Sequence, residues 1–133
     1  MGRPLVKPGP YLLDTHAIIW AVENPSMLST NATAAIEKGE NVLSVASFWE
    51  VVIKSRKKQF EIADPVSWWN RVIEQLGALV LPIRQVHVEG VARLDDHNKD
   101  PFDRILVAQA IAENFTLITR DPLIQCYPVQ TLW

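Results

Sequence analysis

The sequence DPFDRILVAQAIAENFTLITRD, residues 100–121, predicts a helix that is followed directly by a short strand. Asp100 precedes Pro101, and proline suits the first position of a helix because its φ angle is already helical and it has no N–H that needs a partner. We therefore predict a helix over residues 102–114. Residues 115–119 form a short apolar run that predicts a strand. A helix that leads straight into a strand is the repeating unit of α/β proteins.

The same alternation of short apolar segments and helical segments extends along the rest of the chain. It predicts an α/β fold in which a mainly parallel central sheet of four to five strands is covered by helices on both faces. The predicted strands are residues 11–14, 42–45, 78–83, 115–119 and 129–132. The predicted helices are residues 15–22, 28–38, 46–59, 86–94 and 102–114, a helix that begins at Asp64-Pro65 and ends at Gly77, and a short turn at residues 122–126.

Length and composition predict one globular domain. The chain has 133 residues, of which 48% are hydrophobic and 21% are charged, and these fractions are close to those of ordinary globular domains. We expect residues 1–10 to form a loose lead-in and residues 11–133 to form a single domain. The net charge of −2 neither indicates nor excludes binding to nucleic acid.

The sequence also predicts a cytoplasmic protein that does not enter a membrane. No stretch approaches the roughly 20 mostly apolar residues that span a bilayer, and residues 1–10 contain no secretory apolar run. The one cysteine, Cys126, cannot form an internal disulfide, which favours a reducing compartment. We expect Cys126 to be a small residue of the core.

Four acidic residues lie where predicted strands end or predicted helices begin. Asp14 ends the first strand, and Glu50 lies early in the helix after the second strand. Asp103 lies in the first turn of a helix, and Asp121 follows the fourth strand. Because ligands of parallel sheets bind beyond the carboxyl ends of the strands, we expect several of these side chains to meet at one edge.

Each of these acids also has a purely structural role open to it. Asp14, Asp100 and Asp121 are suitable helix caps, and Glu50 precedes Lys54 by four residues, a spacing that allows a surface ion pair. The set as a whole favours a divalent cation, because carboxylates repel one another and a buried charge is costly without a partner. Mg²⁺ or Mn²⁺ bound by carboxylates, with positions open to water and phosphate, suits phosphodiester hydrolysis.

Four segments spread over most of the chain carry a family resemblance. They are LLDTHAIIW at 12–20, SVASFWEVVIK at 44–54, HNKDPFDRILVAQA at 97–110 and LITRD at 117–121. Together, in this order, they resemble PIN-domain ribonucleases of the VapC toxin type. The resemblance implies a PIN-like three-layer sandwich and an endonuclease that cleaves RNA with Mg²⁺ or Mn²⁺. It also implies neutralisation by a small antitoxin protein and assembly as a homodimer.

The resemblance further implies roles for individual residues. The family's acidic quartet, which binds the metal and carries catalysis, corresponds to Asp14, Glu50, Asp103 and Asp121. Supporting polar positions beside the site correspond to Thr15, Ser47 and Asp100. We expect Asp14 and Asp103 to bind the metal most directly, while Glu50 and Asp121 complete the set or act through water. Glu50 is the candidate that accepts a proton from the attacking water.

Several basic residues are candidates for binding RNA phosphates. They are Lys54, Lys57, Lys58, Arg104 and Arg120. A solvated helix end, favoured by the helix dipole, accounts for the three lysines equally well. The two arginines are equally suited to structural ion pairs. His97, in the loop before the 102–114 helix, is positioned to approach RNA or a helix cap.

The remaining histidines and two adjacent tryptophans favour structural roles. We expect His16 and His87 to be structural, because neither has the spacing of a metal ligand. Trp68 and Trp69 are about 100° apart on a helix and cannot face the same way. We therefore expect one of them to lie in the core and the other at a partner interface.

Two alternative functions remain open on the sequence. One is a non-catalytic PIN-like module that binds RNA or a partner protein. The other is a phosphoacceptor signalling domain, which needs an acidic pair after the first strand and a lysine after a late strand. Here Asp14 stands alone before Thr15, and no lysine follows Lys99, so the signalling domain is the weaker alternative. Nothing in the sequence identifies a reader of the 2′-hydroxyl group that distinguishes RNA from DNA.

Overall fold

The sheet of this protein contains five parallel strands in the order β3-β2-β1-β4-β5. The structure is a computed structural model that describes residues 9–133. The strands are β1 (Tyr11–Leu13), β2 (Asn41–Ser44), β3 (Leu79–Leu81), β4 (Thr116–Ile118) and β5 (Thr131–Leu132). The predicted parallel sheet of an α/β fold is confirmed. Most of the predicted lead-in at residues 1–10 lies outside the described residues.

Helices cover both faces of this sheet. They are α1 (Thr15–Glu23), α2 (Thr30–Glu37), α3 (Val45–Arg56), α4 (Pro65–Leu76), α5 (Gln85–Arg93) and α6 (Pro101–Glu113). Successive strand residues point to opposite faces, so Leu13 and Ile118 pack with α1, α2 and α4. Leu12 and Leu117 pack on the other face with α6, and α5 lies against α6. The result is the three-layer sandwich that the sequence predicts.

Two strands pass into helices with almost no connecting loop. Asp14, directly after β1, caps α1 because its Oδ1 accepts a hydrogen bond of 2.8 Å from Ala17 N. Ser44, the last residue of β2, caps α3 by accepting a bond of 3.0 Å from Ala46 N. The helices α1 and α3 therefore both begin at the carboxyl edge of the sheet, next to one another.

Helix α3 ends at Arg56, three residues before the predicted end. Lys58 has a left-handed φ of 60°, and Gln59 N donates a hydrogen bond of 2.8 Å to Lys54 O. This is a C-terminal motif in which a left-handed residue, normally glycine, closes the last turn. Because lysine occupies that position here, the sequence contains no stop signal.

The prediction for the paired tryptophans is wrong, because Trp68 and Trp69 are both buried. Trp68 Nε1 donates a hydrogen bond of 2.9 Å to Glu23 Oε1, and the Trp69 ring stacks on Phe48 at 5.0 Å. Both rings fit because α4 packs against α1 and α3 along a wide apolar face. The strongly exposed tryptophan is Trp49, at 57%.

The structure also tests the predictions for Cys126 and His87. Cys126 is exposed rather than part of the core, because it ends a short 3-10 turn whose buried residue is Ile124. His87 is fully buried, and its Nε2 lies 2.8 Å from Glu113 Oε2. The structural role predicted for His87 is therefore confirmed.

Within residues 9–133, every helix is too short or too polar to cross a bilayer.

Substitution of Trp68 by alanine is expected to lower the free energy of unfolding by about 3–5 kcal/mol, because it empties a large buried site. Trp49→Ala is the matched control and should cost less than about 1 kcal/mol, because the ring is mostly in solvent. Urea unfolding followed by circular dichroism measures both values. Equal losses in the two variants would contradict the burial of Trp68.

Candidate active site

A cleft of about 420 Å³ lies at the carboxyl edge of the sheet, beside the starts of α1 and α6. It brings together all four acids of the predicted quartet, together with Asp100, Thr15 and two of the predicted RNA-binding residues. Its lining residues are Asp14, Thr15, His16, Trp20, Glu50, Lys54, Asp100, Asp103, Arg120, Asp121 and Pro122.

Asp14 is almost completely buried at the end of β1. Burial raises the pKa of its carboxyl, and nearby Asp121 raises it further. Hydrogen bonds from the Thr119 side chain and from Ala17 N, together with the charge of His16, oppose this rise. The carboxyl is therefore held in a fixed orientation, but it carries a net penalty for its charge.

Glu50 is buried, with 3% of its surface exposed, and only one of its oxygens is paired. Its Oε2 lies 2.5 Å from the ammonium Nζ of Lys54. Its Oε1 is buried without a hydrogen-bond partner among the described residues. A buried carboxylate oxygen without a partner costs free energy, so this atom is open to a cation or to a proton donor.

Asp103 lies in the first turn of α6 and faces other negative charges. Partial burial, followed by the charges of Asp100, Glu50 and Asp121, raises the pKa of Asp103 to about 7. A hydrogen bond of 3.2 Å from Asn98 Nδ2 to Asp103 Oδ2 opposes the rise without cancelling it. The cleft therefore holds more negative charge than its own residues neutralise.

Two of the acids combine a structural role with a place in the cleft. Asp100 caps α6 by accepting bonds of 2.8 Å from Phe102 N and 3.1 Å from Asp103 N, and it also lines the cleft. Asp121 Oδ1 accepts a bond of 2.9 Å from Leu123 N. In each case one carboxylate organises the backbone and still faces the cleft.

A hydrogen bond between Thr15 and Ser47 joins two of the helices beside the cleft. Thr15 Oγ1 donates a hydrogen bond of 3.0 Å to Ser47 Oγ, and both side chains are buried. Thr15 lines the cleft, whereas Ser47 does not. The bond fastens the start of α1 to the first turn of α3, which carries Glu50.

Three residues that support the site are absent from the sequence predictions. Thr119 bonds the Asp14 carboxyl and accepts a hydrogen bond of 3.1 Å from Asp121 N. Asn98 bonds Asp103, and its own backbone N donates to Tyr127 Oη at 3.1 Å. Thr119 directly follows β4, so its place at the end of a strand is the signal that identifies it. Tyr127 gives no comparable signal.

The basic candidates separate into three groups. Lys54 and Arg120 line the cleft. Lys57 and Lys58 are exposed at the end of α3 and lie outside it. Arg104 points away, since its guanidinium donates to backbone oxygens of residues 91, 94, 95 and 98 and to Tyr127 Oη. For Arg104, the structural alternative is the one that the geometry supports.

His16 and His97 differ in whether they line the cleft. His16, which the sequence favours as structural, instead has an exposed ring that lines the cleft. His97 is exposed and contacts the Tyr127 ring edge-on at 4.9 Å. His97 does not line the cleft.

The donor chemistry of the cleft fits a hard divalent cation, although the ligands are not assembled around one position. Among residues 9–133, no three histidine, cysteine or acidic side chains are grouped as a metal site. The available donors are carboxylate oxygens, which Mg²⁺ and Mn²⁺ prefer. Glu50 Oε1 lacks a hydrogen-bond partner among the described residues, and the Asp103 carboxyl lies near three other carboxylates. A cation in the cleft would draw the carboxylates together and would compete with Lys54 for Glu50.

Comparison with known proteins identifies the class to which this chain belongs. Residues 11–125 match the PIN domain family, so the chain is a member of the PIN domain family. Within that family it is 30% identical over 129 residues to Ribonuclease VapC22 of Mycobacterium tuberculosis, covering 92% of this chain and 97% of that protein.

Two solved structures share the fold. The first is VapBC2 from Rickettsia felis bound to a DNA fragment from its promoter, with a TM-score of 0.66 and 15% identity over 92% of this chain and 96% of that chain. The second is a toxin–antitoxin complex from Klebsiella pneumoniae, with a TM-score of 0.55 and 24% identity over 84% of this chain and 86% of that chain. The fold and family that the sequence resemblance implies are confirmed.

Asp103 gives a pH dependence to the stability of the metal-free protein. Its folded pKa of about 7 lies above the ordinary value of 3.8, so folding is penalised as pH rises from about 4 to about 7, and the penalty is constant above that range. Asp103→Asn removes the penalty. We expect it to raise the free energy of unfolding at pH 8 by roughly 1–2 kcal/mol, reduced from the full value because water screens the carboxyl.

Thermal unfolding of metal-free samples at pH 4 and pH 8 measures this effect. The difference between Asp103→Asn and wild type should grow from the lower to the higher pH. Glu37→Gln, which changes an exposed carboxyl on α2, is the matched control and should show no such growth. A constant difference for Asp103→Asn would contradict the charge excess.

Proposed function

We propose that this protein is a metal-dependent endoribonuclease toxin that hydrolyses RNA with Mg²⁺ or Mn²⁺ and is neutralised by a cognate antitoxin. The ribonuclease activity is supported by family membership and by the similarity to Ribonuclease VapC22. The observation that carries the proposal is the cleft itself, where Asp14, Glu50, Asp103 and Asp121 face one another. Their charge exceeds what the neighbouring side chains neutralise.

Asp14 and Asp103 are the residues that would hold the cation most directly. Each is fixed by hydrogen bonds from a neighbouring polar side chain, Thr119 for Asp14 and Asn98 for Asp103. Glu50 and Asp121 would complete the set or act through water. A divalent cation bound there supplies polarisation of a phosphoryl oxygen and a lower pKa for bound water.

Glu50 is the candidate proton acceptor for the attacking water. Its Oε1 has no hydrogen-bond partner among the described residues, and the side chain lines the cleft, so this oxygen would accept a hydrogen bond from a water molecule placed next to it. Lys54 holds the other oxygen and thereby fixes the direction of the free one. General bases act from this kind of fixed hydrogen-bonding position.

Lys54 and Arg120 are the phosphate-binding residues that the geometry supports best, because both line the cleft. Lys57 and Lys58 extend the positive charge beyond the end of α3, along a path that a longer RNA strand can follow. Arg104 takes no part, since its guanidinium is used by the loop between α5 and α6.

The partner proteins and the cellular location are also part of the proposal. A toxin–antitoxin complex of Klebsiella pneumoniae shares the fold, which supports a small antitoxin partner for this chain. The homodimer and the cytoplasmic location follow from the resemblance and from the single free cysteine, respectively.

A second candidate function is a PIN-like module that binds RNA or a partner without cleavage. The observation that favours it is the ion pair between Lys54 and Glu50, together with the lack of an assembled metal site among the described residues. The following two experiments distinguish the two functions.

Asp103→Asn is expected to abolish RNA cleavage while leaving the fold intact, because it removes a metal ligand but no core contact. The purified, antitoxin-free protein is incubated with mixed cellular RNA and Mn²⁺ or Mg²⁺, beside the variant and the exposed-site control Glu37→Gln. Wild type and control should produce discrete, metal-dependent fragments, and Asp103→Asn none. Equal cutting by Asp103→Asn would exclude it from catalysis. No cutting by any sample would favour the non-catalytic module.

Divalent metal is expected to raise the melting temperature, because it binds the folded state and neutralises the carboxylates. Lys54→Met should strengthen this effect, because it frees Glu50 for the metal. Lys57→Met is the matched control, because it removes the same charge outside the cleft. A specific effect requires a larger metal-induced shift in melting temperature for Lys54→Met than for Lys57→Met. Melting curves over a range of Mn²⁺ concentrations, at constant ionic strength, measure the shift. An absence of any shift in wild type and Lys54→Met would contradict a metal site.

A further inference from the structure

One rim of the cleft carries planar side chains, of which Arg120 is also a candidate for phosphate binding. His16 and Trp20 lie four residues apart on α1, so they project from the same side of the helix. Their ring centroids are 5.4 Å apart, and Phe60 meets His16 edge-on at 5.9 Å. The Arg120 guanidinium lies over the Trp20 ring at 4.5 Å. We refer to His16, Trp20 and Arg120, which all line the cleft, as the planar rim. Phe60 contacts His16 but does not itself line the cleft.

The His16 ring contacts two aromatic neighbours, and neither is stacked parallel to it. Its contact with Trp20 is tilted by 43° and its contact with Phe60 is perpendicular, so neither neighbour lies parallel on its face. The side chain is exposed and lines the cleft. Arg120 is also exposed and lines the cleft, so its planar guanidinium is a second flat group at the same rim.

The position of the planar rim next to the acidic residues indicates which part of a ligand it could bind. His16 follows Asp14 by two residues, and Arg120 directly precedes Asp121, so the rim borders the point where a phosphate would be bound. A nucleobase is attached one sugar away from its phosphate. Aromatic rings and guanidinium planes bind unpaired bases by stacking, whatever the base.

We propose that the planar rim is a stacking subsite for an unpaired nucleobase of single-stranded RNA, with His16 as the platform and the Arg120–Trp20 pair beside it. The proposal rests on the proposed function only for the identity of the substrate as RNA. It selects single-stranded regions, because a base inside a duplex is already stacked and cannot reach the imidazole. His16 is thus a specificity residue and not a member of the hydrolytic set.

His16 is the residue to substitute, because Trp20 also packs against Trp133 at 5.8 Å and its loss would disturb the C-terminal strand. The test uses the Asp103→Asn protein as background, so that binding is measured without cleavage. The probes are a fluorescein-labelled adenylate decamer of RNA and an abasic decamer with the same ribose-phosphate backbone. Fluorescence anisotropy gives the Kd of each probe.

In this background, His16→Ala is expected to weaken binding of the adenylate decamer by about fivefold or more, with no change for the abasic decamer. His16→Phe should retain adenylate binding within about twofold, since it keeps a flat ring but no hydrogen-bonding nitrogen. Trp49→Ala is the matched control, because it removes an exposed ring that does not line the cleft. It should leave both Kd values unchanged, and the melting temperature of each variant verifies folding.

Four results would overturn the proposal. For His16→Ala, they are an equal rise in the Kd of both probes or no rise in the Kd of the adenylate decamer. For His16→Phe, the result is a failure to retain adenylate binding. For the background protein, the result is no preference for the adenylate decamer, including no binding of either probe. Unchanged adenylate binding together with loss of antitoxin binding in His16→Ala would assign the rim to a partner protein. The cleavage experiment tests the proposed function separately. If the protein binds RNA in a base-dependent way but does not cleave it, the stacking proposal stands and the proposed hydrolytic activity is wrong.

Discussion

The immediate change from strand to helix at Asp14 and at Ser44 is the constraint on which the site depends. Asp14 directly follows β1 and Ser44 ends β2, and each caps the next helix with its own side chain. The hydrogen bond between Thr15 and Ser47 then joins the first turns of the two helices. Since α3 starts at a fixed place, Glu50 is carried into the cleft beside Asp14 without any long loop. The positions of Asp14 and Glu50 therefore depend on the pairing of β1 with β2.

The same constraint forces negative charges together, and the fold offsets only part of the resulting repulsion. Asp14 and Asp103 lie at helix N-termini, where the helix dipole and free N–H groups favour an anion. Lys54 neutralises one oxygen of Glu50. What remains is the unpaired Glu50 Oε1 and the raised pKa of Asp103. Strained electrostatics of this kind are typical of functional sites, because a charge excess that a structure does not need for its own stability is available to a ligand.

Local signals in the sequence predicted most of the fold, whereas contacts between distant segments remained hidden. The caps at Asp14 and Asp100 and the alternation of segments are read over a few residues, so the elements and the acidic edge were predictable. The burial of both Trp68 and Trp69 depends on how α4 lies against its neighbours. The Arg104 guanidinium donates hydrogen bonds to backbone carbonyl groups. The residue types in the sequence do not indicate where those carbonyl groups lie. The polar residues that support the acids do so through single hydrogen bonds, and a threonine or asparagine near a strand end or helix start is common in any α/β protein.

The two cations of the cleft share a feature that links charge to substrate binding. Lys54 Nζ lies 5.5 Å from the centre of the Phe60 ring, and Arg120 lies over Trp20. Each cation thus contacts an aromatic ring and lines the same cleft as the carboxylates. A cation–π contact is worth only about 0.5–1 kcal/mol at exposed sites. For Lys54 this contact adds to the ion pair with the buried carboxylate of Glu50, whereas for Arg120 the aromatic contact is made by an exposed side chain. The aromatic contacts therefore help to hold both cations in the cleft that the acidic residues line.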